Sequence, residues 1–169
     1  MTEANPSGDC PFCAVSAGRL PAHIVAETPR LLAVLDGDPI RPGHLQILPR
    51  EHYPHFNALP VALARELLSL GERLAAVQRS VFRVDRVGFL FPAGAAAHAQ
   101  VQAVPLLSAG DVAARRPAAL RQPAFPTRPG PSDAELAALA VRLGDALLAA
   151  EGMGAMPWRP LPDSGVLVG

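Results

Sequence analysis

The residues of this chain best equipped for chemistry are two thiols and five imidazoles. Cys10-Pro11-Phe12-Cys13 places two thiols close enough to share one metal ion. Zinc favours four tetrahedral nitrogen or sulfur ligands, and the remaining donors would come from His23, His44, His52, His55 and His98. A CxxC pair has two other readings, a redox couple or two buried thiols with no special role. A redox pair of the thioredoxin kind follows a strand and opens a helix. Here the pair sits directly behind a loose polar leader, residues 1–9, which weakens that reading.

The second concentration of chemistry is His98-Ala99-Gln100-Val101-Gln102-Ala103-Val104-Pro105. Polar and apolar residues alternate, so the stretch reads as a strand with His98, Gln100 and Gln102 on one face. Three hydrogen-bonding side chains in a row on one face point to a site rather than to a core.

Those residues need elements to position them. His23 to Glu27 and Leu31 to Asp36 read as strands around a turn at Thr28-Pro29-Arg30. Turn residues follow, Asp36-Gly37-Asp38-Pro39 and Arg41-Pro42-Gly43, and then a third strand, His44 to Leu48. Pro60 to Arg79 carries Leu63, Leu67, Leu70, Leu74 and Val77 at three- and four-residue steps, the stripe of an amphipathic helix. Val87 to Phe91 and His98 to Leu106 are the fourth and fifth strands. The expected fold class is α+β, a mostly antiparallel five-stranded sheet with a packed helix over residues 10–107. Residues 108–131 shift to Pro, Ala and Arg and read as a linker. Residues 132–169 hold a helix and tail. Ser132-Asp133-Ala134-Glu135 is a capping-box pattern and opens a helix bearing Leu136, Leu139, Leu143 and Leu147. That helix could cover the sheet or meet a partner.

Composition narrows the function classes. The 169 residues suffice for one domain with a sizeable core, and the formal net charge is zero. A nucleic-acid footprint needs a basic excess on some face, so nucleic acid is not an expected partner. The basic residues are all Arg, which removes Lys as a Schiff base or phosphate anchor. No apolar run reaches the length of a membrane span, and the leader lacks the plan of a signal peptide. The expected location is cytoplasmic, where two Cys argue for metal or redox roles over a structural disulfide.

Several segments, taken in order, resemble the histidine triad (HIT) superfamily. They are the paired Cys, Ala17-Gly18-Arg19-Leu20-Pro21-Ala22-His23, Leu35-Asp36-Gly37-Asp38-Pro39, Arg41-Pro42-Gly43-His44 and Leu48-Pro49-Arg50-Glu51-His52-Tyr53. The resemblance is greatest to the H-x-H-x-Q branch of galactose-1-phosphate uridylyltransferases and dinucleoside-polyphosphate phosphorylases. It implies a structural Zn2+ held by Cys10, Cys13, His52 and His98, with His55 as the alternate to His52. It implies a ribose hydroxyl on Asp36, whose other reading is a turn Asp bonding nearby backbone. It places Gln102 on a phosphate and implies pairing into a homodimer. His44 matches a family position but reads more simply as a core His, and His23 as a surface His.

The same resemblance puts Gln100 where the family carries its nucleophile, the central His that forms a nucleotidyl-imidazole intermediate. A carboxamide is neither nucleophilic nor titratable near neutral pH. Upstream, where the family has a polar phosphate loop, Phe91-Pro92-Ala93-Gly94-Ala95-Ala96-Ala97 offers no side-chain donor. Two functions stay open. One is a zinc-containing HIT-like protein with a degenerate triad, His98-Gln100-Gln102, that binds a nucleotide-like or other small ligand at Asp36, Gln100 and Gln102. The other is a nucleotide hydrolase or nucleotidyltransferase-like enzyme that does without the central His.

Overall fold

Leu31–Leu35 is apolar at every position, and all five residues are buried. Such a segment needs cover on both faces of its sheet, and the computed structural model supplies it. The structure describes residues 10–92, 98–106 and 130–151. In chain order the elements are α1 (Pro11–Ser16), β1 (Ile24–Glu27), β2 (Leu31–Leu35), β3 (Leu45–Pro49), a 3-10 turn (Phe56–Ala58), α2 (Val61–Phe82), β4 (Arg86–Leu90), β5 (Val101–Leu106) and α3 (Asp133–Glu151). The leader, residues 93–97 with Gly94, nearly all of the expected linker and the tail after 151 lie outside the described residues.

The five strands form one sheet in the order β1-β2-β3-β5-β4, antiparallel at every pairing. With helices on it the fold is α+β, as expected. Side chains alternate across a sheet, which divides each strand between two faces. Leu31, Ala33, Leu35, Leu45, Ile47, Val101 and Ala103 join the main core with α2 and α3. Leu32, Val34 and Leu48 face the other way and pack against Phe12 and Val15 of α1. On that second face the register sets Gln46 opposite Gln102.

The apolar stripe of α2 is buried as its spacing predicts: Leu63, Leu67, Leu70, Leu74 and Val77. Gln78 continues that buried side, and its Nε2 donates to the carbonyls of Gly43 at 2.7 Å and Ala103 at 3.0 Å. One side chain thus pins α2 to the turn before β3 and to β5. The α3 helix opens with the anticipated capping box. The Glu135 N–H donates to Ser132 Oγ, and the Ser132 N–H donates to the Glu135 carboxylate. The Ser132 hydroxyl, which donates to the same carboxylate at 2.7 Å, and the Ser132 N–H hold the Glu135 carboxyl below its usual range. The open question about α3 is answered: Leu136, Leu143 and Leu147 enter the same core as α2. His23 donates to Asp133 at 2.9 Å, and Arg73 pairs with Glu151.

Most expected element ends shift by one to three residues. Two differences matter more. Pro11–Ser16 is a helix that the sequence reading did not include, too short for a periodic signal. The fifth strand begins at Val101 rather than His98. Its first residues are diverted because the Ala99 N–H donates to the Tyr53 carbonyl at 2.6 Å instead of entering the ladder.

Gly43 has a positive φ of 86°, and a Cβ there would lie 2.2 Å from the Phe82 ring of α2. Gly43→Ala is expected to cost at least about 2 kcal/mol in urea unfolding, since backbone strain and overpacking combine. Gly37 has nothing within 4 Å of such a Cβ, so Gly37→Ala should stay within about 1 kcal/mol of the unsubstituted protein.

Candidate metal centre and ligand face

Cys10 is the N-cap of α1, and Cys13 lies one turn on, so both thiols project from the same end of a helix held to the sheet by Phe12 and Val15. His52 follows β3 by three residues, and His98 precedes β5 by three. Because β3 and β5 are antiparallel neighbours, the end of one and the start of the other share a sheet edge. Topology therefore gathers four donors whose sequence numbers are far apart.

Their ligand atoms all lie within 4.8 Å of one another. Cys10 Sγ is 3.3 Å from His98 Nδ1, Cys13 Sγ is 3.3 Å from His52 Nδ1, and Cys13 Sγ is 3.6 Å from His98 Nδ1. A zinc tetrahedron with Zn–S bonds of about 2.3 Å and Zn–N bonds of about 2.0 Å has S···N edges of about 3.6 Å. The spacing fits. The His98 Nε2–H donates to the Pro49 carbonyl at 2.9 Å, which fixes the tautomer and aims a bare Nδ1 at the thiols. His52 and His98 meet edge to face, with ring centroids 5.2 Å apart. Four protein donors close a tetrahedral site, the arrangement of a structural rather than a catalytic metal.

Burial of Cys13 speaks against the redox reading of the CxxC pair. Burial pushes the Cys13 thiol up to about 11, helped by hydrogen bonding and charge from Cys10 and opposed by Arg19. Redox and nucleophilic thiols are depressed instead, although the pair does open a helix. Burial also holds the His98 imidazole below its ordinary value, against the Pro49 bond, with His52 adding to the depression. A neutral imidazole is the form that ligates.

His55 is the alternate that the structure leaves out. It is exposed, it starts the 3-10 turn, and it is no part of the donor cluster. His44 is the core residue anticipated, fully buried, with Nδ1 accepting the Ile40 N–H at 3.3 Å. His23 is half-buried against Asp133 rather than free on the surface.

The proposed ligand residues occupy the same sheet face as α1. Asp36 is buried. Its Oδ1 accepts the Asp38 N–H at 2.9 Å, the turn bond anticipated for an Asp here, and its Oδ2 accepts Gln46 Nε2 at 2.9 Å and lies 3.2 Å from His44 Nδ1. Gln102 is buried beside Gln46. Gln46 is the residue that sequence reasoning missed. Its signal was a lone amide in the apolar run Leu45-Gln46-Ile47-Leu48. Gln100 precedes the strand, is 7% exposed, and its Oε1 is buried without a hydrogen-bond partner among the described residues. Leaving a buried acceptor unpaired costs about 1–3 kcal/mol, so that atom is a place where a donor belongs.

Comparison with known proteins agrees with this architecture. The HIT domain matches residues 17–104. An uncharacterized HIT-like protein of Mycobacterium tuberculosis is 32% identical over 88 residues, covering 52% of this chain. The chain spans 61% of that relative's length. A histidine triad nucleotide-binding protein of Sulfolobus tokodaii, described as hypothetical, superposes with a TM-score of 0.68 at 18% identity, covering 84% of this chain and 94% of that one. A Zn-bound histidine triad family protein of Mycobacterium smegmatis gives 0.66 at 21% identity, covering 88% and 99%. Both structures share the fold.

Metal binding must displace the two thiol protons. The apparent affinity for Zn2+ in a chelator competition is expected to climb by about a hundredfold per pH unit between pH 7 and 8. A flat profile would remove the thiols from the site. In metal analysis, His98→Ala is expected to lose stoichiometric zinc and His55→Ala to keep it. Folding of the metal-free chain carries the opposite sign. The raised Cys13 pKa favours the fold below the ordinary thiol value of 9.0 and ceases to do so as pH rises toward 11.

Proposed function

The chain belongs to the HIT domain family, and from that premise we propose that it is a zinc-stapled binding protein for a nucleotide-like ligand, without nucleotidyl transfer to an imidazole. The observation that carries this reading is Gln100, a buried side chain whose Oε1 has no hydrogen-bond partner among the described residues, at the position where the resemblance puts the family nucleophile. Its carboxamide can hydrogen-bond a ligand but cannot attack phosphorus or take a proton. Asp36 and Gln102 line the same face and would receive the sugar and phosphate ends.

Zinc at Cys10, Cys13, His52 and His98 supplies a structural crosslink in this reading. The Zn-bound M. smegmatis protein with the same fold supports that choice of metal. In this reading His98 belongs to the scaffold, with its two ring nitrogens on Cys10 Sγ and the Pro49 carbonyl. The other function, an enzyme with a different base, has little to work with. Among the described residues of this face the remaining imidazole is His44, fully buried against Asp36. Thiolate ligands require a reducing compartment, consistent with a cytoplasmic protein. Among the described residues, no helix is long and apolar enough to cross a membrane. The sheet edge β4, with Phe89 exposed, would be the pairing surface of a homodimer.

Calorimetry with adenosine 5′-monophosphate tests the binding reading, and Gln100→Ala should weaken the interaction by about tenfold, the loss of one buried hydrogen bond. Incubation with nucleoside phosphoramidates and dinucleoside polyphosphates is expected to give neither turnover nor a trapped nucleotidyl-protein. Rapid turnover through such an adduct would overturn the proposal. Gln100→His should not recover full activity, because residues 93–97 bring no side-chain donor for phosphate.

A further inference from the structure

We propose that His98 is a positioning residue: metal at its Nδ1 fixes the short limb 98–100 and so holds Gln100 in place for its ligand. The inference rests on the reading of Gln100 as a ligand contact and adds to it a coupling between the two sites.

The argument begins where the sheet stops. The β3–β5 pairing ends at Ile47 with Val101, and the β4–β5 pairing ends at Leu90 with Gln102. Gln100 therefore lies just outside the ladder on both sides. The limb that carries it is tied instead to the end of β3 and the segment after it, through the His98 Nε2–H on the Pro49 carbonyl and the Ala99 N–H on the Tyr53 carbonyl. That same segment carries His52. A metal bound by Cys10, Cys13, His52 and His98 would thus join three pieces of chain: the start of α1, the segment after β3, and the limb before β5. Two residues beyond His98 stands Gln100, whose Oε1 has no hydrogen-bond partner among the described residues.

The limb enters the main core through Ala99, but most of that core does not depend on the junction. β2 is buried along its whole length, and α2 and α3 close the main core on the opposite face. Loss of the metal should therefore loosen the limb and leave the core intact. A limb ordered before the ligand arrives lowers the conformational cost of binding. By thermodynamic reciprocity the ligand must tighten metal binding by the same factor.

The test is amide hydrogen exchange on the full chain, zinc-loaded and after chelation. Ala99 and Gln100 are expected to exchange at least about tenfold faster without zinc, while Ala33 in β2 and Leu67 in α2 hold their rates. His52→Cys, which keeps four zinc donors, should preserve slow exchange at Ala99, and His52→Ala should not. Unchanged exchange at Ala99 on chelation would overturn the proposal. So would equal acceleration at Ala33, because the metal would then support the whole sheet. In the second arm, the Kd for adenosine 5′-monophosphate is expected to rise about fivefold or more on chelation, and equal affinity for both forms would overturn the coupling. Binding by neither form would refute the nucleotide reading of the ligand, and the exchange arm would decide the clamp by itself.

Discussion

Strands β3 and β5 run antiparallel in the middle of the sheet, and nearly every feature of the site is a consequence of that one pairing. Its register sets Gln46 against Gln102. At one end, the chain leaving β3 and the chain entering β5 bring His52 and His98 together beneath the thiols of α1. Toward the other end, Gln78 of α2 bonds the carbonyl of Gly43, just before β3, and that of Ala103, the partner of Leu45. A one-residue slip would turn Gln46 and Gln102 into the main core and bring Leu45 and Ala103 out of it. The hydrophobic pattern forbids that slip, so burial of Leu45, Ile47, Val101 and Ala103 also fixes the polar face.

That face is organised by satisfaction of its polar groups. Asp36 is bonded by the Asp38 N–H and by Gln46, so its carboxylate is oriented before any ligand meets it. His44 and Asp36 lie together with almost no exposure. Gln100 Oε1 is buried there with no hydrogen-bond partner among the described residues, where buried polar groups usually find one. At the other end of the limb, the Pro49 carbonyl orients the His98 ring toward the donor cluster. One short stretch thus contributes both to the donor cluster, through His98, and to the buried polar face, through Gln100.

How much could be read in advance varied with the range of the interaction. The stripe of α2 and the capping box of α3 depend on neighbours within one or two turns, and both appear as their spacing predicts. The start of β5 was misplaced because His98-Ala99-Gln100 alternates like a strand while its bonds go to Pro49 and Tyr53, some fifty residues away in sequence. Alternation marks which side of the chain is apolar, and it carries no information about which backbone lies alongside. α1 escaped for a different reason. Its six residues are held by packing of Phe12 and Val15 on Leu32, Val34 and Leu48 rather than by local preference.

By itself, the sequence determined the donor types, the order of the motifs, the apolar periodicities and the identity of residue 100. These are properties of covalent structure and local pattern, and folding does not alter them. Only the tertiary structure decided that His52 rather than His55 joins the thiols, that Gln46 belongs beside Gln102, and that α3 covers the sheet. Each of those outcomes is a distance between residues remote in sequence, fixed by strand register and by the cooperative packing of a shared core. A carboxamide at position 100 can be read from the chain. That it is buried at the end of a ladder, two residues from a four-donor centre, is a fact of the fold.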